Sequence, residues 1–162
     1  EPGRAAAGVF VSFSVGGDLT GRNFVRRLLS RLADQPLDPW IYESPGGEIP
    51  LGQPIAEACK RKIDECRVFL ALITRASLAS RHVATEVEHA LSRQGRLVIV
   101  PMIGSDLTGT SWPAPFSGLA ALRGYVLGAN PLDQVDRIVA ALATHLGVPF
   151  SPERQEGPRF RP

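Results

Sequence analysis

Three features of this sequence predict a three-layer α/β fold around a central, mostly parallel five-stranded sheet. Short apolar segments alternate with amphipathic helical stretches along most of the chain. That alternation lays a parallel sheet between two helical layers. One apolar segment, Val68-Phe69-Leu70-Ala71-Leu72-Ile73, has no polar position at all, as a strand buried on both faces requires. The loops that follow the first two apolar segments are punctuated by Gly and Pro, which mark turns at the ends of strands.

The elements follow in order. Val9-Phe10-Val11-Ser12-Phe13 reads as a buried strand, and Ser14 to Gly21 as the loop behind it. Phe24, Val25, Leu28, Leu29 and Leu32 recur at helical spacing, with Arg22, Arg26, Arg27 and Arg31 mostly opposite them, most simply a solvated face and alternatively one that faces an anion. Trp40-Ile41-Tyr42 is a short second strand, and Glu43 to Gly52 a long loop. Ile55, Cys59, Ile63 and Cys66 mark the second helix, and residues 68–73 the third strand. After a small polar loop, Val83, Val87, Ala90 and Leu91 define a helix that Ser80 can cap and that ends near Gly95. Leu97 to Ile103 supplies a fourth strand, 104–121 a loop with a short helix, and Tyr125-Val126-Leu127 a weak fifth strand. The last helix carries its stripe on Leu132, Val135, Ile138, Val139, Leu142 and Leu146, with Asn130 as cap, Pro131 in the first turn and Gly147 at the end. Residues 1–7 are expected to be disordered, residues 8–150 to form the domain, and the polar, Pro-rich 151–162 to be a flexible tail or linker.

Right-handed crossovers between these strands give a flavodoxin-like order, with any site lying beyond the carboxyl ends of the strands. The loops carrying Ser14 to Gly21, Glu43 to Gly52 and Thr74 to Ser80 would meet there. In the helix that leaves the third loop, Glu86 falls roughly 95° from the middle of the apolar face. It therefore reads as a helix-edge carboxylate, sharing a strip with His82, His89 and Arg93. If the domain has an active site, Glu86 is the best candidate for its charged centre.

Composition narrows the function classes. The 162 residues are 44% apolar and 21% charged, enough for one domain with a real core. A net charge of +2 argues against a dedicated nucleic-acid binder. No apolar run approaches the length of about 18 residues that spans a membrane. Cys59 and Cys66 would lie roughly 10 Å apart along one helix, too far for a disulfide. They read as buried thiols of a cytoplasmic protein. No metal site is expected, because two such thiols make a poor zinc set and His82, Glu86 and His89 read as surface polar residues. The first strand ends on Ser12 and Ser14 where a phospho-accepting receiver needs acids. Neither a G-x-G-x-x-G turn nor a G-x-S-x-G elbow is present.

Four segments in order resemble the Toll/interleukin-1 receptor (TIR) domain family. Val9-Phe10-Val11-Ser12-Phe13-Ser14 is similar to its opening strand, and Ile41-Tyr42-Glu43 to its second strand and terminal acid. Glu43 to Gly52, followed by Ile55, looks like the BB loop and the start of helix B. Ile73-Thr74, Ser80-Arg81-His82-Val83 and Glu86 resemble the "Leu-Ser … Ser-x-Trp-x-x-x-Glu" signature. The likeness spans residues 8 to about 147.

The resemblance implies an NAD glycohydrolase that breaks the nicotinamide–ribose bond, with NAD as substrate and no cofactor. Glu86 matches the catalytic glutamate, and Phe13, Ser14, Glu43 and His82 are the implied substrate-binding residues. Pro45, Gly46, Gly47 and Gly52 of the BB loop would mediate self-association, with a fused or partner sensor domain. The abundance of Arg, Ala, Gly and Pro suggests a GC-rich bacterial source, for which the family implies a role in antiphage defence. His82 stands where many members carry Trp, Ser77 where an aromatic is common, and Val15 where some enzymes have Arg. The alternative is a TIR–TIR interaction module without catalysis.

Overall fold

The computed structural model describes residues 7–41 and 54–152. Most of the two expected disordered ends lies outside these residues, the exceptions being Ala7, Ser151 and Pro152. So do Tyr42, Glu43 and the loop residues Pro45, Gly46, Gly47 and Gly52.

Five strands, β1 (Ala7–Ser12), β2 (Leu37–Trp40), β3 (Val68–Ile73), β4 (Val98–Gly104) and β5 (Tyr125–Leu127), form one sheet in the order β2-β1-β3-β4-β5. Every pairing is parallel, so the sheet is wholly rather than mostly parallel. The helices are α1 (Leu19–Ala33), α2 (Ile55–Glu65), α3 (Arg75–Leu78), α4 (Arg81–Ser92) and α5 (Val135–Leu146).

The strand period of two sorts β1 between two cores. Val9 and Val11 face α1 and α5 together with Leu28, Leu70 and Ile138. Phe10 faces α2 and α4 with Phe69, Cys59, Val83 and Val87. Its ring stacks on Phe69 at 5.5 Å and lies 5.0 Å from Trp40. Each such fully buried side chain contributes about 1.5–3 kcal/mol relative to exposure.

Several expected boundaries move. β2 begins at Leu37 and ends at Trp40, with Pro39 opposite Val9. A proline inside a strand is tolerated here because β2 is an edge, where one row of N–H groups pairs with nothing. The polar loop after β3 contains the short helix α3, whose Thr74 cap accepts from the Ser77 amide. Ser80 caps α4 as its sequence suggests, accepting from the Val83 amide at 3.1 Å. The last helical stripe splits: Pro131–Gln134 is a 3₁₀ turn and the α-helix starts only at Val135. Asn130 bonds the Asp133 side chain instead of capping, and Leu132 is exposed. Gly147, at φ 72°, ends α5 in the left-handed region.

Arg31 departs from the expected solvated basic face, on which Arg22 and Arg26 are exposed. Its side chain is buried, donating to Asp136 at 2.8 Å, to Asp34 at 2.7 Å and to the Ser151 carbonyl at 2.8 Å. Ser151 also donates its amide to Gln35 at 2.8 Å, so the packed unit reaches that residue.

Candidate active site

α4 starts beyond the carboxyl end of β3 and lies across the end of β1. Its Val83 and Val87 pack into the core, and this seats Glu86 above the tip of β1. Ser12, the last residue of β1, donates its hydroxyl to Glu86 Oε1 at 2.5 Å. The other oxygen, Oε2, faces His82 Nε2 at 2.8 Å, one helical turn back. No donor among the described residues is aligned to Oε2.

Glu86 is thus not a helix-edge residue, because only 2% of it is exposed. The wheel treats a helix as having one covered face, whereas α4 is covered by the sheet on one side and by α2 on the next. The strip that carries Glu86 falls in the junction of the two. The same packing breaks up the expected strip of four polar residues. His89 and Arg93 turn away to Asp64 of α2, each at 2.8 Å. Burial works to raise the Asp64 carboxyl, but the hydrogen bonds from Arg93 and His89 outweigh it and hold its pKa below the ordinary value.

In place of His89 the structure brings Cys59. Its thiol sulfur, Glu86 and His82 have ligand-type atoms within 4.8 Å of one another. Burial, and then the negative charge of Glu86, push the Cys59 thiol up to about 12. Cys66, pushed to about 12 chiefly by burial, is likewise a free buried thiol. Sequence reasoning placed Cys59 correctly on its helix but gave no sign that it meets Glu86, because only the packing of α2 on α4 joins them.

A cleft of about 1210 Å³ opens over this centre. Phe13 and Ser14 line it from the loop after β1, Arg22 and Arg26 from α1, and His82 and Glu86 from α4. Four of the implied site residues therefore share one cavity, and Glu43 lies outside the described residues. Val15 also lines it. Arg22 donates to the Gly16 carbonyl at 2.8 Å and so braces the loop.

The rim of the cleft is tied together by hydroxyls. Thr74 Oγ1 donates to the Ser14 carbonyl at 2.6 Å, and the Ser14 amide donates to Ser77 Oγ at 3.2 Å. Ser77 Oγ, fully buried, donates to the Leu72 carbonyl at 2.7 Å. This small hydroxyl residue joins the loop after β1 to α3.

The chain shares its fold with solved structures of low sequence identity. The TIR domains in the structure of the activated Roq1 resistosome directly recognizing the pathogen effector XopQ superpose with a TM-score of 0.65 at 15% identity, over 86% of this chain and 99% of that one. A conserved protein from Enterococcus faecalis V583 superposes with a TM-score of 0.52 at 12% identity, over 83% of this chain and 99% of that one. No curated protein sequence gives a significant match. The profile of the TIR domain matches residues 9–143, a span that runs from β1 into α5 and takes in the whole Ser12–His82–Glu86 centre. With the strand order and that match in agreement, this chain belongs to the TIR domain family.

Proposed function

We propose that this domain is an NAD glycohydrolase, splitting NAD and water into nicotinamide, ADP-ribose and a proton. The observation that carries the reading is Glu86. It is a carboxylate 2% exposed at the floor of a large cleft. Among the described residues no lysine or arginine forms a salt bridge to it. A buried acid without a fixed cation is costly to the fold, and chemistry that develops positive charge gives it a purpose.

The reaction needs little else. Nicotinamide leaves as a neutral group, so no strong general acid is required. The ribose becomes oxocarbenium-like, and a carboxylate in a water-poor site stabilises that charge more than it would in water. Ser12 fixes one oxygen of Glu86, which keeps the other aimed without reorganisation. His82, at the rim, is placed to pack against nicotinamide, and Arg26 lends positive charge to the part of the cleft where a pyrophosphate would lie. Capture of the cation by water gives linear ADP-ribose, and capture by a second nucleophile of the same molecule gives a cyclic product.

By family likeness, the loop carrying Pro45, Gly46, Gly47 and Gly52 docks against a second copy and completes the site. Specific activity is then expected to rise with protein concentration, as docking completes the site by mass action. A cytoplasmic role in antiphage defence is the setting this reading implies.

The second reading, an interaction module without catalysis, draws on the same cluster. The Ser12–Glu86 bond alone can be seen as a brace between β1 and α4. Incubating concentrated protein with NAD and quantifying nicotinamide separates the two. Release that disappears in Glu86→Gln supports the enzyme, and no release at high micromolar protein overturns it.

A further inference from the structure

The centre of the cleft holds a donor set in which Cys59, unused by the NAD chemistry, joins the His82 and Glu86 that it does use. Cys59 from α2 brings a thiol sulfur, His82 an imidazole nitrogen and Glu86 a carboxylate oxygen, all within 4.8 Å of one another. In tetrahedral zinc sites the ligating atoms lie about 3.2–3.8 Å apart, as bonds of about 2.0–2.3 Å dictate. Side-chain shifts of about 1 Å therefore bring these three atoms around one ion. Three mixed S, N and O ligands with a fourth position open to water suit zinc, and the sulfur disfavours magnesium and calcium.

The surroundings fit as well. Ser12 holds Glu86 Oε1 and leaves Oε2 facing His82 Nε2, with no other aligned donor among the described residues. That is the outer-shell support a metal-bound carboxylate needs. His82 and Glu86 line the cleft, so an ion approaches from that side, although His82 Nε2 and Glu86 Oε2 are themselves buried, and Cys59 closes the set from the core. His89, on the same helix, is tied to Asp64 and takes no part.

We propose that Cys59, His82 and Glu86 form a binding site for a zinc-class divalent cation, and that filling it shuts the NAD site. Binding replaces the Cys59 sulfur–hydrogen bond with a sulfur–metal bond, and the proton leaves to solvent. A bound dication favours the thiolate over the thiol and neutralises the carboxylate beside it. The occupied site is inactive for two reasons. Glu86 is coordinated and no longer faces the ribose, and a cation stands where the transition state must itself become cationic.

The first half of the proposal is independent of the catalytic reading, and the second half rests on it. The test uses the whole chain, stripped with a chelator and kept reduced. Cobalt titration should saturate at one ion per chain with thiolate-to-cobalt absorption in the near ultraviolet. Cys59→Ser and Cys59→Ala should both lose that absorption, and their zinc affinity, measured against a chromophoric chelator, should fall at least about 100-fold. His82→Gln should weaken zinc at least about tenfold, while Cys66→Ser should bind as the parent does. Circular dichroism checks that each variant is folded. Zinc should suppress nicotinamide release, a chelator should restore it, and Cys59→Ser should need at least about 100-fold more zinc for the same fractional loss from its own basal rate. No saturable binding up to millimolar metal, or a charge-transfer band that survives in both Cys59 variants, overturns the site. Tight binding with undiminished turnover overturns the inhibition alone. If the parent protein releases no nicotinamide, the enzyme reading fails while the cobalt titration still decides the site.

Discussion

Two charged side chains in this domain are equally buried and opposite in character. Arg31 and Glu86 are each 2% exposed. Arg31 sits where α1, α5 and Ser151 converge, and Asp136, Asp34 and the Ser151 carbonyl take up its donors. Burial works to lower its pKa, but the hydrogen bonds and charges of Asp136 and Asp34 prevail and raise it. Glu86 has one hydroxyl, one imidazole, the Cys59 thiol and no fixed cation, and it opens on a cleft. A charge whose valences are filled within the fold is structural. A charge left partly unfilled beside a cavity is available for a ligand.

Substitutions can break that distinction or sharpen it. The largest effect belongs to Glu86→Gln, which keeps size and hydrogen bonding. Nicotinamide release should fall at least about 100-fold, or about 2.7 kcal/mol of transition-state stabilisation. The thermal midpoint should hold or rise, because an uncompensated charge leaves the core. A variant that turns over normally, or that unfolds, would place Glu86 with Arg31 among the structural charges. Arg31→Met should do the reverse. It should cost about 2 kcal/mol of stability, a fall of about 6 °C in midpoint, with turnover within about twofold once the protein is folded. Turnover that collapses in a folded Arg31→Met protein would show that the two regions are coupled.

A smaller effect tests the geometry of the site. His82→Ala should lower nicotinamide release about tenfold, whereas Glu88→Ala, on the exposed side of α4, should stay within about twofold. Equal losses would mean that the cleft is not where the chemistry occurs. The smallest effect concerns Asp64. Its folded pKa is depressed, so its pairing with Arg93 and His89 contributes fully above the ordinary carboxylate value of 3.8 and is lost as pH falls through the folded value. The exposed setting limits that contribution to under about 1 kcal/mol. Asp64→Asn should therefore lose a little stability at pH 7 and none once the pH has fallen below the folded value, read as the difference in midpoint from the parent protein. An equal loss at both would assign the effect to packing instead of charge.

Periodicity made the layers, the four longer helices and the five strands legible, because the spacing of Val9, Phe10 and Val11 or of Val83 and Val87 is a local property. It also brought the eye to Glu86 and its Ser80 cap. What it missed depended on partners remote in the chain. The shift of β2 onto Pro39 follows from its place at the sheet edge. The burial of Arg31 requires Asp136 and Ser151, and that of Glu86 requires both Ser12 and α2. Cys59 joins Glu86 only when two helices pack, a contact that no spacing within either helix encodes.

The hydroxyl knot of Ser14, Thr74 and Ser77 bears on where ordering entropy is lost. Fixing the backbone of a loop residue costs about 1–2 kcal/mol each. A rim that must be ordered on ligand arrival subtracts that sum from affinity. Here the carbonyl and amide of Ser14 are held by Thr74 and Ser77 before any ligand is present. The loss is therefore taken during folding, and a molecule that touches this rim meets a surface already set in place.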